Sequence, residues 1–119
     1  MTTQEVAAKL VQYCREGKNM DAINELYADD IVSREPKGSA TELVEGKDGV
    51  LQKNQHWYNM VQEIHSGVVS DPIVTGNFFA VTMDMDVTYK EHGRMAMHEI
   101  AVYEVKDGQI IADQFFYNM

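Results

Sequence analysis

The chain has 119 residues, enough for one domain that buries roughly two-thirds of the surface its unfolded form exposes. Hydrophobic residues at 45% and charged residues at 24% exclude a disordered polymer. Ten Lys and Arg against nineteen Asp and Glu leave a net charge of -9, which repels phosphate backbones and anionic lipid and excludes nucleic acid and membrane surfaces as partners.

In chain order, Thr2 with Glu5 three positions on forms a capping-box signature, and Val6, Leu10, Val11 and Cys14 then recur at helical spacing. Gly17 closes this helix, and Asn19 is expected to cap a second one carrying Met20, Ile23, Leu26 and Tyr27. Ile31 to Glu35 reads as a short strand, ended by Pro36 and Gly38 and followed by a loop. A longer helix is predicted from Lys47 to Ile64, with Val50, Asn54, Trp57, Tyr58, Val61 and Ile64 along one face. The second half reads as four strands: His65 to Val74, Phe78 to Lys90, Arg94 to Val105 and Gln109 to Tyr117. Three helices followed by an antiparallel meander make an α+β fold with the helices on one sheet face. No repeat or linker divides the chain, so residues 1–119 are read as a single domain.

Cys14 has no partner for an internal disulfide, and its place in a helical stripe marks it as a packed small hydrophobe rather than a nucleophile. The opening residues carry Gln4 and Glu5 without a long apolar core, and no apolar run approaches membrane-spanning length. A cytoplasmic protein is expected.

The turns set the strand register. Glu91-His92-Gly93 and Lys106-Asp107-Gly108 each fit a three-residue hairpin loop, which pairs Lys90 with Arg94 and Val105 with Gln109. One sheet face then carries Phe79, Val81, Met83, Met85, Val87, Tyr89, Met95, Met97, Ala101, Tyr103, Ile111, Phe115 and Tyr117. A two-residue Asp-Gly turn would shift the last strand by one and break this match. The opposite face carries Ile100, Val102, Ile110 and Phe116, too apolar for a freely solvated sheet, which points to a homodimer through that outer face.

Two acids, Glu99 and Asp113, fall on the apolar face as diagonal neighbours, where an ionised carboxylate is costly unless paired, wet or protonated. Sharing a proton would raise one of them toward the range of a general acid or base. Solvent at an open sheet end, or hydrogen bonds to Tyr and Asn, would also accommodate them. Asn54 adds a polar amide to the apolar helix face. His56 is expected in solvent, His65 at a junction facing either way, and His98 across from Asp86 in an ion pair. No metal site is indicated and no cofactor is implied.

The helix pair ending in Leu26-Tyr27-Ala28-Asp29-Asp30, the strand, the long helix and the antiparallel strands resemble the nuclear-transport-factor-2-like superfamily. Tyr103-Glu104-Val105-Lys106-Asp107-Gly108-Gln109-Ile110 and Phe115-Phe116-Tyr117 resemble its SnoaL-like branch. The resemblance spans nearly the whole chain. It implies a cone-shaped fold: three N-terminal helices on a strongly curved antiparallel sheet enclosing a pocket, with dimers common through the outer face. Locally, Tyr27-Ala28-Asp29-Asp30 and then Arg34-Glu35-Pro36-Lys37-Gly38-Ser39 are similar to ketosteroid isomerase, placing Glu35 at the position of its proton-shuttling base. Glu99 lies at, or one residue from, the position of its protonated oxyanion-hole acid. The isomerase's first-helix Tyr aligns with Val11, however, and Glu35 is longer than the Asp it replaces, so steroid isomerisation is not expected.

Two functions follow as expectations. One is general acid/base catalysis, of isomerase, cyclase or dehydratase type, on a small apolar carbonyl compound, with Glu35, Glu99 and Asp113 as the catalytic acids. The other is a non-catalytic small-ligand-binding or structural dimeric module. In either, Tyr27, Asn54, Trp57, Met83, Met85, Met97, Phe115 and Tyr117 are the expected contacts for a small apolar or aromatic molecule.

Overall fold

The computed structural model describes residues 1–118. Helix α1 spans Thr3–Arg15 and opens on the expected capping box: the Glu5 amide donates to the Thr2 hydroxyl, and the Thr2 amide to the Glu5 carboxylate. Its buried stripe of Val6, Ala7, Leu10 and Val11 repeats every three to four residues and meets the sheet. Gly17 turns the chain with φ 72°, while the Lys18 amide closes on the Tyr13 carbonyl at 2.8 Å.

Helix α2, Asn19–Leu26, begins one residue earlier than expected, at Asn19 rather than after it. Lys18 is its first flanking residue and provides no side-chain cap, so Asn19 lies inside the helix. The helix also ends earlier: Tyr27 is extended and starts β1, Tyr27–Arg34. Leu26 and Tyr27 are buried in strand and helix alike, which is why periodicity carried the helix too far. Tyr27-Ala28-Asp29-Asp30 is therefore the first half of a strand, with Asp29 and Asp30 exposed and the register irregular between Tyr27 and Val32.

A three-residue strand, β2 (Leu43–Glu45), pairs antiparallel with β1 and was not foreseen in the loop. Helix α3 runs Lys47–Met60, and β3 runs Val61–Val69, so the long helix stops four residues before its predicted end. β-Branched Val61 and Ile64 go into the strand, where Ile64 is 45% exposed. After β4, Ile73–Thr75, come the long strands β5, Phe78–Tyr89, and β6, Gly93–Lys106, and the last strand β7, Gln109–Phe116.

The sheet order is β2-β1-β7-β6-β5-β3, with β4 on β5. The sheet is mixed rather than antiparallel throughout, because β1 runs parallel to β7. Three helices packed on a curved, unclosed seven-stranded sheet give the α+β architecture expected.

Register departs from expectation in two ways. The β5–β6 loop is Lys90-Glu91-His92, with Tyr89 opposite Gly93, so every pair slides by two residues while the inward face keeps its parity. Glu99 therefore faces Met83 rather than Met85, and His98 faces Asp84 rather than Asp86. The β6–β7 connection is a two-residue turn: Asp107 and Gly108 both take positive φ, 52° and 76°, as a tight hairpin with right-twisted strands requires. The feared loss of match does not follow, because a bulge between Glu104 and Val105 restores parity. Val105 pairs with Ile110, Glu104 with Ala112, and Ile111 is the extra residue.

The bulge exchanges two isoleucines. Ile110, expected on the outer face, is fully buried beside Val105 and Tyr103; Ile111, expected in the core, is only half-buried. Phe79 and Tyr103 stack at 4.7 Å at the centre of the core, next to Val6, Leu10, Leu26 and Ile31. Met95 was expected on the inner face but is 48% exposed near the β5–β6 end.

Candidate functional site

The helices cover only part of the concave sheet face. Beyond the Phe79–Tyr103 stack they leave a cavity of about 450 Å³. Strand alternation supplies one wall: Met83 and Met85 from β5, Met97 and Glu99 from β6, then Phe115 and Tyr117 at the end of β7. Lys53, Asn54, Trp57 and Met60 of α3 form the opposite wall, recurring every three to four residues. Leu10 and Cys14 of α1 and Tyr27 of β1 close the base, and Glu35 with Ser39, Ala40 and Thr41 forms the side after β1.

All eight expected ligand contacts line this cavity, as do Glu35 and Glu99. Asp113 does not. It is buried behind the wall, where its carboxylate accepts hydrogen bonds from the Tyr27 hydroxyl at 3.1 Å and from Ser33. The expected contact between Glu99 and Asp113 is also corrected. Asp113 faces Tyr103, and the Ala101–Phe115 pair lies between it and the position of Glu99. The acid that shares the cavity lining with Glu99 is Glu35.

Burial pushes the Glu99 carboxyl up to about 7, with the Glu35 charge adding to the rise and Lys53 opposing it. Desolvation also raises Asp113, opposed by the Ser33 hydrogen bond, Lys53 and the Tyr27 hydrogen bond. Lys53 is a charged cavity residue that sequence reasoning missed. Its ammonium donates to Ser33 at 2.7 Å and stands 3.4 Å from Glu35 Oε1. The signal was present: Lys53 falls three residues after Val50 and four before Trp57, on the stripe that faces the sheet. The second oxygen of Glu35, Oε2, is buried and finds no hydrogen-bond partner among the described residues.

The apolar wall is fixed by its own polar tips. The Trp57 indole donates to the Tyr89 hydroxyl at 3.1 Å, and that hydroxyl reaches the Met97 sulfur at 2.7 Å. The Asn54 amide donates back to the Val50 carbonyl at 3.1 Å, so its polar burden is met within α3. Cys14 behaves as the packed hydrophobe expected: burial pushes its thiol up to about 11, so little nucleophilic thiolate forms. His56 is exposed at the rim, while His65 joins Thr88 at 2.6 Å and His98 joins Asp84 at 2.6 Å on exposed sheet positions. Asp86, the partner expected for His98, instead holds Arg94 in a two-point pair at 2.9 and 2.7 Å. Among the described residues no group of three or more His, Cys, Asp or Glu is placed to hold a metal ion, and no helix is long and apolar enough to cross a membrane.

A mixed sheet curved around three helices, with a cavity under α3, defines the nuclear-transport-factor-2-like class. The chain belongs to the SnoaL-like domain family, whose model matches residues 1–117. It is similar to a Mesorhizobium loti protein provisionally named a SnoaL-like polyketide cyclase and carbohydrate phosphatase: 36% identity over 98% of this chain and 100% of that one, with a TM-score of 0.91. A Bacillus subtilis protein provisionally named an isomerase shares 22% identity, covering 99% and 90% of the two chains at a TM-score of 0.75. A Catenulispora acidiphila protein with a ketosteroid isomerase-like fold, solved with trimethylamine, shares 16% identity over 97% and 86% at 0.76. These last two likenesses show the fold alone. No curated protein matches the sequence.

Proposed function

We propose that the cavity takes a small, mostly apolar carbonyl compound and moves a proton on it. The observation that carries this reading is that Glu35, whose Oε2 is buried without a hydrogen-bond partner among the described residues, lines the same Met- and aromatic-rich cavity as Glu99, a carboxyl pushed up to about 7. One carboxylate free to accept and one carboxyl able to donate, in a largely apolar site, is the pairing that enolisation needs. The Glu35 carboxylate takes the proton from the carbon next to the carbonyl; the C–H electron pair becomes the C=C bond of the enolate, and the carbonyl π pair moves onto the oxygen. Protonated Glu99 donates a hydrogen bond to the oxygen as its charge grows. Delivery of that proton from Glu35 to a different carbon of a conjugated enolate completes an isomerisation; in a cyclisation the enolate carbon bonds to a second carbonyl carbon, whose π pair moves onto its oxygen and takes the proton from Glu35. Asp113 takes no part in contact with the ligand.

The test is the affinity for 2-naphthol, an aromatic enol mimic, in the wild type and in Glu35→Gln and Glu99→Gln. Loss in both variants supports the reading; unchanged affinity in both overturns it. A second reading, binding without turnover, is favoured by the adaptable wall of Met83, Met85 and Met97. Exchange of deuterium from solvent into the carbon next to the carbonyl of a bound aryl ketone separates the two: exchange marks catalysis, and binding without exchange marks the module.

The homodimer through the outer sheet face also belongs to this proposal, on Ile100, Val102 and Phe116 and without the buried Ile110. Ile100 pairs with Phe116 across β6 and β7, and each is 48% exposed. Sedimentation of Ile100→Glu tests it: the variant is monomeric where the wild type is dimeric. The protein is also proposed to work in the cytoplasm.

A further inference from the structure

We infer that Lys53 is a positioning residue for Glu35: its ammonium, tethered through Ser33 to the buried Asp113, holds one carboxylate oxygen of Glu35 and so fixes that carboxylate in the wall of the cavity. This rests on the proposed role of Glu35 and adds the device that sets its geometry.

The direction of every bond in the chain is fixed by what each group can do. A lysine ammonium only donates, so Ser33 must accept from Lys53 at 2.7 Å. Ser33 then has its single proton left, and it donates this to Asp113. Asp113 receives a second hydrogen bond from Tyr27 at 3.1 Å, so its carboxylate is held at both oxygens. Ser33 and Asp113 are 0% and 3% exposed, which makes the anchor a fixed part of the core. The Lys53 side chain is only 12% exposed, and its nitrogen lies 5.2 Å from the centre of the Phe115 ring. Held from the serine side and over the ring, the ammonium presents its charge to Glu35 Oε1 at 3.4 Å. Oε1 is thereby occupied, and Oε2 remains buried with no partner among the described residues. A flexible glutamate without that pin has several rotamers open to it.

Two measurements test the device. The first uses the ligand-free protein and does not depend on the proposed chemistry: three-bond carbon couplings report the Glu35 side-chain rotamer. One rotamer is expected in the wild type and in Lys53→Arg, and averaging among rotamers in Lys53→Met. Ser33→Ala, which cuts the tether and keeps the charge, is expected to average in part and reports the device even where Lys53→Met does not fold. A single unchanged Glu35 rotamer in Lys53→Met, or in Ser33→Ala when that is the variant that folds, overturns the inference. The second is a double-mutant cycle on 2-naphthol affinity. Lys53→Met is expected to weaken binding about tenfold in the wild-type background and to have little effect in Glu35→Gln. A full loss that persists in Glu35→Gln means that Lys53 contacts the ligand itself, and overturns a role through Glu35. A wild type that binds no naphthol counts against the proposed function, while the rotamer measurement still decides the role of Lys53.

Discussion

Lys53 Nζ stands 3.4 Å from one carboxylate oxygen of Glu35, and the other oxygen of that carboxylate is buried without a hydrogen-bond partner among the described residues. A buried acceptor left open costs about 1–3 kcal/mol, more when charged, so a fold keeps one only where something offsets it. Here the offset is the adjacent cation, and Glu35 lines the cavity.

Glu99 makes stability depend on pH in a predictable direction. Its carboxyl sits at about 7 in the folded protein against an ordinary value of 4.5. Between those values the folded state holds a proton that the unfolded chain has released, so this group's contribution falls as pH rises through the window. The full shift corresponds to up to about 3 kcal/mol, reduced where water enters the cavity. Glu99→Gln removes the effect. Urea unfolding at pH 4 and pH 8 is expected to show the variant gaining on the wild type by about 1–3 kcal/mol at the higher pH. An equal difference at both pH values contradicts it.

The bulge in β7 assigns different weights to two adjacent isoleucines. Ile110→Ala opens a cavity in the core and is expected to cost about 2–5 kcal/mol, whereas Ile111→Ala costs about 1 kcal/mol or less. Denaturant midpoints of the two variants check the register directly. Equal losses, or the reverse order, would restore the three-residue loop.

Asp113 is predicted to be structural. Asp113→Ala strands the Tyr27 and Ser33 hydroxyls in the core and is expected to cost about 2–4 kcal/mol in urea unfolding. A variant as stable as the wild type, with naphthol binding abolished, would return Asp113 to the cavity.

The α+β class, the inward parity of β5 and β6, and the meeting of Glu35 with Glu99 were legible because each rests on local period or on matched residues. Parity survived a two-residue slip in pairing because side chains alternate with period two. What was not legible depended on distant partners. The chain at Tyr27 turns to strand because β7 lies beside it in parallel, and no local signal marks that pairing. Asp113 reads as catalytic in the sequence because an acid on an apolar face looks functional; the Ser33 and Tyr27 that satisfy it lie 80 and 86 residues away. Lys53 was overlooked for the opposite reason. A lysine on a helix is ordinarily solvated, and only the depth of the cavity makes this one significant.

The pH dependence of 2-naphthol affinity tests the central claim most directly. With Glu35 as the acceptor and Glu99 as the donor, affinity is expected to fall as pH rises through about 7, because Glu99 then loses the proton it donates. The inflection is expected to vanish in Glu99→Gln, and binding to weaken in Glu35→Gln. A flat profile in the wild type, or one whose inflection survives Glu99→Gln, would contradict the account.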